Sequence, residues 1–194
     1  MTITLTGGRS ITLDDISELR LSDVVRSLSR ESRWGGFTDE FYSVAEHSVA
    51  VAGQCIENLP DYRLPFTPEA EKKQILKNKD LWLAALLHDA SECVFKDLMQ
   101  PVKQFIPEYR KKEKEFQKKI YKHFGINITE SIADRVKYAD MQVGHAEFIK
   151  FFPDAQHDYF RPDVPPATMK IKCFDCGGAQ TLFGDALAFA GVRV

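Results

Sequence analysis

His88 and Asp89 are the adjacent residues of this sequence best suited to metal chemistry. They directly follow the apolar run LWLAALL at residues 81–87. A carboxylate at the end of such a run is costly to bury unless it is paired or binds a cation. Imidazole and carboxylate ligands together suit Zn, Mn, Fe or Co, but two neighbouring ligands cannot complete a site, so other segments must supply the rest.

Two further polar residues interrupt apolar helical patterns. His47 lies in the segment SVAEHSVAVAGQ, and Asp140 lies in the segment VKYADMQVGHAEF. Taken singly, each is more often a satisfied polar group of the core than a metal ligand. Together with His88 and Asp89 they place four candidate ligands on three helical segments, and this combination favours a metal site.

The ordered set of His47, His88-Asp89 and Asp140 resembles the ligand order of the HD superfamily of phosphohydrolases. HDASE-CVFKDLMQPVK at residues 88–103 is similar to a segment of the bacterial 5′-deoxyribonucleotidases. The chain also resembles small phage-encoded HD proteins, some of which hydrolyse deoxyadenosine triphosphate. Further matching segments are LSRESRW, FYSVAEHSVAVA and VKYAD, and the similarity covers roughly residues 21–150.

The resemblance implies one divalent transition metal, either Co, Mn, Zn or Fe with Mg as a further option, bound by those four residues. It also implies an acid/base pair, Glu92 and Asp97, whose individual roles the sequence leaves open. Carboxylates in these positions are suited to moving protons between water and a leaving group. Phosphoryl transfer depends mainly on positioning and on neutralising charge, which a metal and a few cations supply.

Arg33, Trp34 and Lys103 are the substrate-binding residues that the resemblance implies. A guanidinium group suits phosphate oxygens, and an indole ring suits a sugar or base. Glu147, two helical turns after Asp140, is a candidate to support the ligands. Lys96 departs from the pattern, because the similar nucleotidases carry glycine immediately before the aspartate.

The elements that must position these residues are mostly helices. Two β-rich runs around Gly7-Gly8 predict a short N-terminal hairpin, and apolar spacing predicts helices from Leu21 onward. The most apolar of these is expected to run from Asp80 through Glu92, and the expected helix N-caps include Ser22, Ser43 and Thr129. The sequence therefore predicts a mostly α, single-domain HD-type helical bundle. Its expected parts are a hairpin extension at 1–20, the phosphohydrolase core at 21–152, and a C-terminal loop and helix at 153–194 that pack on the core.

Composition narrows the class of protein. Hydrophobic residues make up 44% and charged residues 28% of the 194 residues, a globular balance, and the net charge of −2 gives no global field for long nucleic acid. There is no signal-peptide pattern or membrane span, so we expect a cytoplasmic protein with free thiols. Cys173 and Cys176 have half-zinc-site spacing, with His157 as the nearest partner, but no second half follows.

Three functions remain open at this stage. The favoured one is a metal-dependent 5′-deoxyribonucleotidase that converts a dNMP to a deoxynucleoside and phosphate. A dNTP triphosphohydrolase that releases triphosphate, for example from dATP, is the alternative within the same class. A catalytically silent HD module that senses a nucleotide or metal is the alternative of another class. The resemblance also implies a small nucleotide as the partner and a homo-oligomer, either a dimer or a larger assembly.

Overall fold

The N-terminal residues form the predicted hairpin. In the computed structural model, which describes residues 2–60, 62, 67–155, 161 and 163–194, β1 (Ile3–Thr4) pairs antiparallel with β2 (Ser10–Ile11), and Ile3 lies opposite Ile11. Gly7 and Gly8 between the strands both have positive φ angles, of 76° and 75°, which glycine adopts without steric cost. The two glycines thus account for the tight turn between the strands.

Helices make up the rest of the ordered structure, as predicted for a mostly α fold. The part of the chain that the structure describes contains α1 (Leu21–Leu28), α2 (Val44–Glu57), α3 (Pro68–Lys77), α4 (Lys79–Leu86), α5 (Glu92–Phe95), α6 (Gln100–Gln104), α7 (Pro107–His123), α8 (Glu130–Phe151) and α9 (Cys176–Phe189). In these same described residues, no helix is long and apolar enough to cross a membrane. The predicted loop at 153–166 and the one around Pro65 fall partly outside the described residues.

Helix starts follow the predicted capping signals at two places. The Ser43 hydroxyl accepts a hydrogen bond from the Glu46 backbone N–H at 3.2 Å, and the Glu46 carboxylate accepts one from the Ser43 backbone N–H at 2.8 Å. The Thr129 hydroxyl accepts a hydrogen bond from the Ile132 backbone N–H at 3.2 Å and caps α8. The expected cap at Ser22 is wrong, because α1 begins one residue earlier and its N-cap is Arg20.

α2 lies at the centre of the fold and packs against α4, α8 and α9. Val51 and Ala52 on α2 are fully buried, as are Ala85 and Leu86 on α4. Burying an aliphatic side chain of the size of valine or leucine contributes about 1.5–3 kcal/mol relative to leaving it exposed. This packing fixes α2, α4 and α8 relative to one another, and these are the elements that carry the candidate ligands.

The apolar helix predicted to run from Asp80 through Glu92 ends earlier than expected. α4 ends at Leu86, residues 87–91 form turns, and a separate short helix, α5, begins at Glu92. Successive residues of a continuous helix would point about 100° apart. The turn instead lets the side chains of His88 and Asp89 face the same point, with His88 Nε2 and Asp89 Oδ2 3.2 Å apart.

Candidate functional site

The structure brings the predicted ligands of three separate segments together. His47, His88 and Asp89 each offer one ligand atom, and these atoms all lie within 4.8 Å of one another. Asp140 Oδ1 lies 3.0 Å from His47 Nε2 and 3.7 Å from His88 Nε2. The Asp140 side chain is 41% exposed, whereas the two imidazoles are almost buried, so the cluster opens to solvent on the Asp140 side.

The hydrogen bonds of the two imidazoles fit a metal site. His88 Nδ1 lies 2.8 Å from the Ala85 carbonyl oxygen, which can only accept, so Nδ1 carries a proton and donates it. His47 Nδ1 lies 2.6 Å from Glu147 Oε1. Both Nε2 atoms are buried without a hydrogen-bond partner among the described residues. Two such nitrogens facing two carboxylates are the donor set that a divalent transition metal requires.

The charges within the cluster act strongly on one another. Burial lowers the pKa of His88, but Asp89 and Asp140 outweigh it and raise that pKa well above its usual value. Burial acts in the opposite sense on Asp140, but the nearby imidazoles of His47 and His88 hold the pKa of Asp140 well below its usual range. The charges of the cluster therefore favour protonated imidazoles, with which a bound metal would have to compete.

Glu147 is the residue that connects the ligands to the predicted substrate residues. Its carboxylate is completely buried and accepts hydrogen bonds from Arg33 Nη2 at 3.1 Å, Trp34 Nε1 at 3.2 Å and the Tyr42 hydroxyl at 2.9 Å, besides its contact with His47. Burial would raise the pKa of Glu147, but the charges of His47 and Arg33 and these hydrogen bonds hold it at about 2. Glu147 is thus ionised at all physiological pH values.

Arg33 lies between the ligand cluster and Asp97. Its Nη1 atom is 3.7 Å from Asp89 Oδ2 and 3.8 Å from Asp97 Oδ2, while Nη2 is held by Glu147. Its Nε atom is buried and has no hydrogen-bond partner among the described residues. The guanidinium group is therefore fixed next to the metal-ligand candidates and still has an unused N–H donor. Such a group suits a phosphate oxygen.

Trp34, predicted to stack on the substrate, also packs against aromatic residues of the protein itself. Its ring contacts Phe148 and Phe152 of the C-terminal end of α8, with centroid distances of 5.9 and 5.5 Å. The residue has a φ angle of 57°, which is uncommon for a non-glycine residue. The indole N–H donates a hydrogen bond to Glu147, so Trp34 contacts α8 through both its ring and its nitrogen.

Glu92 and Lys103 form a buried pair. Lys103 Nζ lies 3.1 Å from Glu92 Oε1 and 2.9 Å from Glu113 Oε1. Glu92 Oε2 has no partner among the described residues. Burial, reinforced by the charges of Asp89 and Asp97, raises the pKa of Glu92 well above its usual value, although Lys103 opposes this. The ammonium of Lys103 is thus already engaged by two carboxylates, and its role as a substrate contact remains a prediction.

Asp97 is positioned by Glu31, which sequence reasoning missed. Glu31 Oε1 accepts a hydrogen bond from the Asp97 backbone N–H at 3.2 Å, and Glu31 Oε2 pairs with Lys96 Nζ at 2.8 Å. Burial raises the pKa of Asp97, although Arg33 opposes the shift. Glu31 lies in LSRESRW, where its charge between two arginines gave no indication that it reaches the segment after α5.

Tyr42 and Glu113 are the other supporting residues that the sequence did not reveal. Tyr42 precedes a capping serine and reads as a core aromatic, and Glu113 is one of the glutamates interleaved with lysines on α7. His157 lies outside the described residues, and within those described no metal-capable cluster includes Cys173 or Cys176. The four cysteines are free, as predicted.

Comparisons with known proteins agree with this geometry. The model of the YfbR-like 5′-deoxynucleotidases matches residues 21–151. An uncharacterized protein of Escherichia coli K12, YfdR, is 30% identical over 131 residues, which cover 68% of this chain but only 58% of that protein. An uncharacterized protein of Rhodobacter capsulatus is 32% identical over 169 residues, which cover 82% of this chain and 79% of that protein.

Proposed function

The chain belongs to the YfbR-like 5′-deoxynucleotidase family, and on this premise we propose that it is a metal-dependent phosphohydrolase of deoxyribonucleotides. Its favoured reaction is the hydrolysis of a dNMP to a deoxynucleoside and phosphate. The family match at residues 21–151 contains every candidate ligand, catalytic and substrate-binding residue. The relatives named above are uncharacterized, so the substrate rests on the family and on the chemistry of the site.

One observation carries the proposal. The unpartnered Nε2 atoms of His47 and His88 face the carboxylates of Asp89 and Asp140 at the only place where the described residues cluster in this way. We propose these four residues as the ligands of one divalent ion, with Co, Mn, Zn or Fe favoured and Mg as a further option. When bound, such an ion polarises a phosphoryl oxygen and lowers the pKa of water.

The protein side chains supply the remaining steps. Arg33, fixed by Glu147, binds a non-bridging phosphate oxygen and neutralises charge as it develops on the phosphoryl group. Hydrolysis forms a bond between the water oxygen and phosphorus and breaks the bond between phosphorus and O5′. We assign Asp97, next to Arg33, as the acceptor of the water proton. We assign Glu92, whose pKa is raised by burial, as the donor of the proton to O5′.

A dNTP triphosphohydrolase is the second candidate within this class. It is favoured by the extra positive charge of Lys96 immediately before Asp97, which would assist a more highly charged substrate. The sensor alternative is less well supported, because buried Glu92 and half-buried Asp97 both have raised pKa values. We further propose a small nucleotide as the partner and a homo-oligomer in solution, testable by light scattering.

Analysis of the reaction products tests the proposal. The purified chain is incubated with Mn²⁺, Co²⁺, Zn²⁺ or Mg²⁺ and with each dNMP, dNTP and matching ribonucleotide, and the products are separated by chromatography. Free phosphate from dNMPs with intact dNTPs supports the nucleotidase. Inorganic triphosphate from dNTPs supports the second candidate instead, and metal binding without turnover of any nucleotide contradicts both.

A pair of histidine variants links turnover to the proposed ligands. His88→Ala removes one ligand and is expected to abolish both metal binding and hydrolysis. His123→Ala removes an imidazole at the end of α7 that contacts the Leu19 carbonyl oxygen and the Phe124 ring, and it is expected to preserve both. Equal activity of the two variants would contradict the assignment of the metal site.

A further inference from the structure

A cavity lies between the N-terminal hairpin, α1 and α5. Its volume is about 310 Å³, at the lower end of the range for small-molecule sites. Apolar side chains form part of its wall, namely Ile3, Leu5, Leu19 and Val94. None of the candidate metal ligands lines it, so the cavity is distinct from the cluster described above.

The charged groups that line this cavity are mostly cationic. Arg26, Arg30 and Lys96 line it together with a single acidic residue, Asp23. The Asp23 carboxylate is already satisfied, because Arg9 donates two hydrogen bonds to it at 2.7 and 2.8 Å and the Arg20 backbone N–H donates another at 3.0 Å. The cavity is thus locally positive in a chain whose net charge is −2.

The two arginines have donor capacity available for a ligand. Arg26 makes no side-chain hydrogen bond or ion pair within the described part of the chain. The hydrogen bonds that Arg30 makes there all use Nη1, including one to Gln180 Oε1 at 2.9 Å, which fixes the guanidinium and leaves Nη2 available. Two guanidinium groups four residues apart in sequence, beside an apolar wall, suit a phosphate-bearing ligand with an apolar portion.

The cavity is also connected to the candidate site. Lys96 contributes to the cavity wall, and its Nζ atom pairs with Glu31, which in turn holds the backbone N–H of Asp97. The Ser27 hydroxyl donates a hydrogen bond to the Cys93 carbonyl oxygen at 3.1 Å, which ties the cavity side of α1 to α5. An anion that attracts Lys96 would compete with Glu31 and change how Asp97 is held.

We propose that this cavity is an effector site for a nucleoside polyphosphate, separate from the site of hydrolysis. The phosphates bind Arg26, Arg30 and Lys96, and the base lies against the apolar wall. Occupancy withdraws Lys96 from Glu31 and alters the rate at which the neighbouring site turns over its substrate. The binding part of the proposal is independent of the proposed function, and the rate effect depends on that function.

Equilibrium binding of dATP in EDTA, where no divalent ion supports the candidate metal site, tests the binding part. The double variant Arg26→Glu/Arg30→Glu is expected to bind dATP at least tenfold more weakly than the wild-type chain. The control Lys111→Glu/Lys118→Glu makes the same charge change on the exposed face of α7 and is expected to bind normally. Absence of wild-type binding, or equal affinity of the arginine variant, would overturn the proposal.

Two further measurements separate the ligand class and the effector role. Inorganic triphosphate that binds as tightly as dATP would overturn the part played by the base. Hydrolysis of a dNMP in Mn²⁺ is expected to change at least twofold on addition of dATP in the wild type and not in the arginine variant. A rate unaffected by bound dATP overturns the effector role, whereas an inactive wild type contradicts the proposed function and leaves the binding result decisive.

Discussion

Lys96 occupies a backbone conformation that favours glycine, with φ 72° and ψ 156°. A non-glycine residue in this region costs about 1–3 kcal/mol. Glycine, the residue that the resemblance implies at this position, would adopt this conformation without strain. Lys96→Gly would relieve the strain, but glycine also increases the entropy of the unfolded chain by about 0.5–1 kcal/mol. The substitution also removes the exposed ion pair with Glu31, worth about 0–1 kcal/mol.

Comparison with Lys96→Ala isolates the backbone contribution. Both variants lose the same ion pair, but alanine keeps the strained conformation. The glycine variant is therefore expected to be more stable than the alanine variant, by about 1 kcal/mol within a range of roughly 0–2.5 kcal/mol. For a chain of this size, about 1 kcal/mol raises the unfolding midpoint by about 2–4 °C.

Urea denaturation and thermal unfolding followed by circular dichroism measure this difference. Both are performed in EDTA, so that metal binding does not contribute to the apparent stability. Glu31→Gln in the wild-type background measures the ion pair alone and is expected to change stability by less than about 1 kcal/mol. An alanine variant that is more stable than the glycine variant would refute the assignment of strain to Lys96.

Three further predictions concern the site itself. Glu147→Gln leaves buried donors unsatisfied and is expected to weaken metal affinity about 10–100-fold in a calorimetric titration, whereas Glu40→Gln, at an exposed position, should not. Glu92→Gln should bind metal normally but lower kcat at least 100-fold, and unchanged kcat would reject Glu92 as the acid. The pKa of Glu147 is about 2 in the folded protein and about 4.5 in the unfolded chain. The ionised Glu147 carboxylate therefore stabilises the folded protein above pH 4.5. This stability is lost as pH falls from about 4.5 toward 2, and Glu147→Gln should flatten the loss in apo-protein denaturation curves.

The sequence predicted helix starts correctly where the residues that give the signal also make the hydrogen bonds that start the helix. Ser43 and Thr129 are capping residues whose hydroxyls bond to N–H groups three residues ahead, and the structure has both bonds. The proximity of His47, His88, Asp89 and Asp140 was also anticipated, because polar residues recur within apolar helical patterns in an order that matches a known superfamily.

The parts that could not be predicted depend on long-range packing. The end of α4 at Leu86 has no glycine or proline to mark it. Lys103 meets Glu113 only because α6 and α7 pack together, and the carboxylate of Glu113 resembles those of its surface neighbours in the sequence. The contact of Trp34 with Phe148 and Phe152 joins residues more than a hundred positions apart.

The position of Glu147 has a consequence for how the chain would respond to scarce metal. One buried carboxylate holds both the imidazole of His47 and the guanidinium of Arg33, so ordering either partner restricts the other. A metal ion held by His47 and a nucleotide held by Arg33 would therefore be thermodynamically linked. The factor by which one raises the affinity for the other is the same in both directions. Nucleotide would then promote retention of the ion, and a chain without the ion would bind nucleotide weakly there instead of sequestering it unhydrolysed.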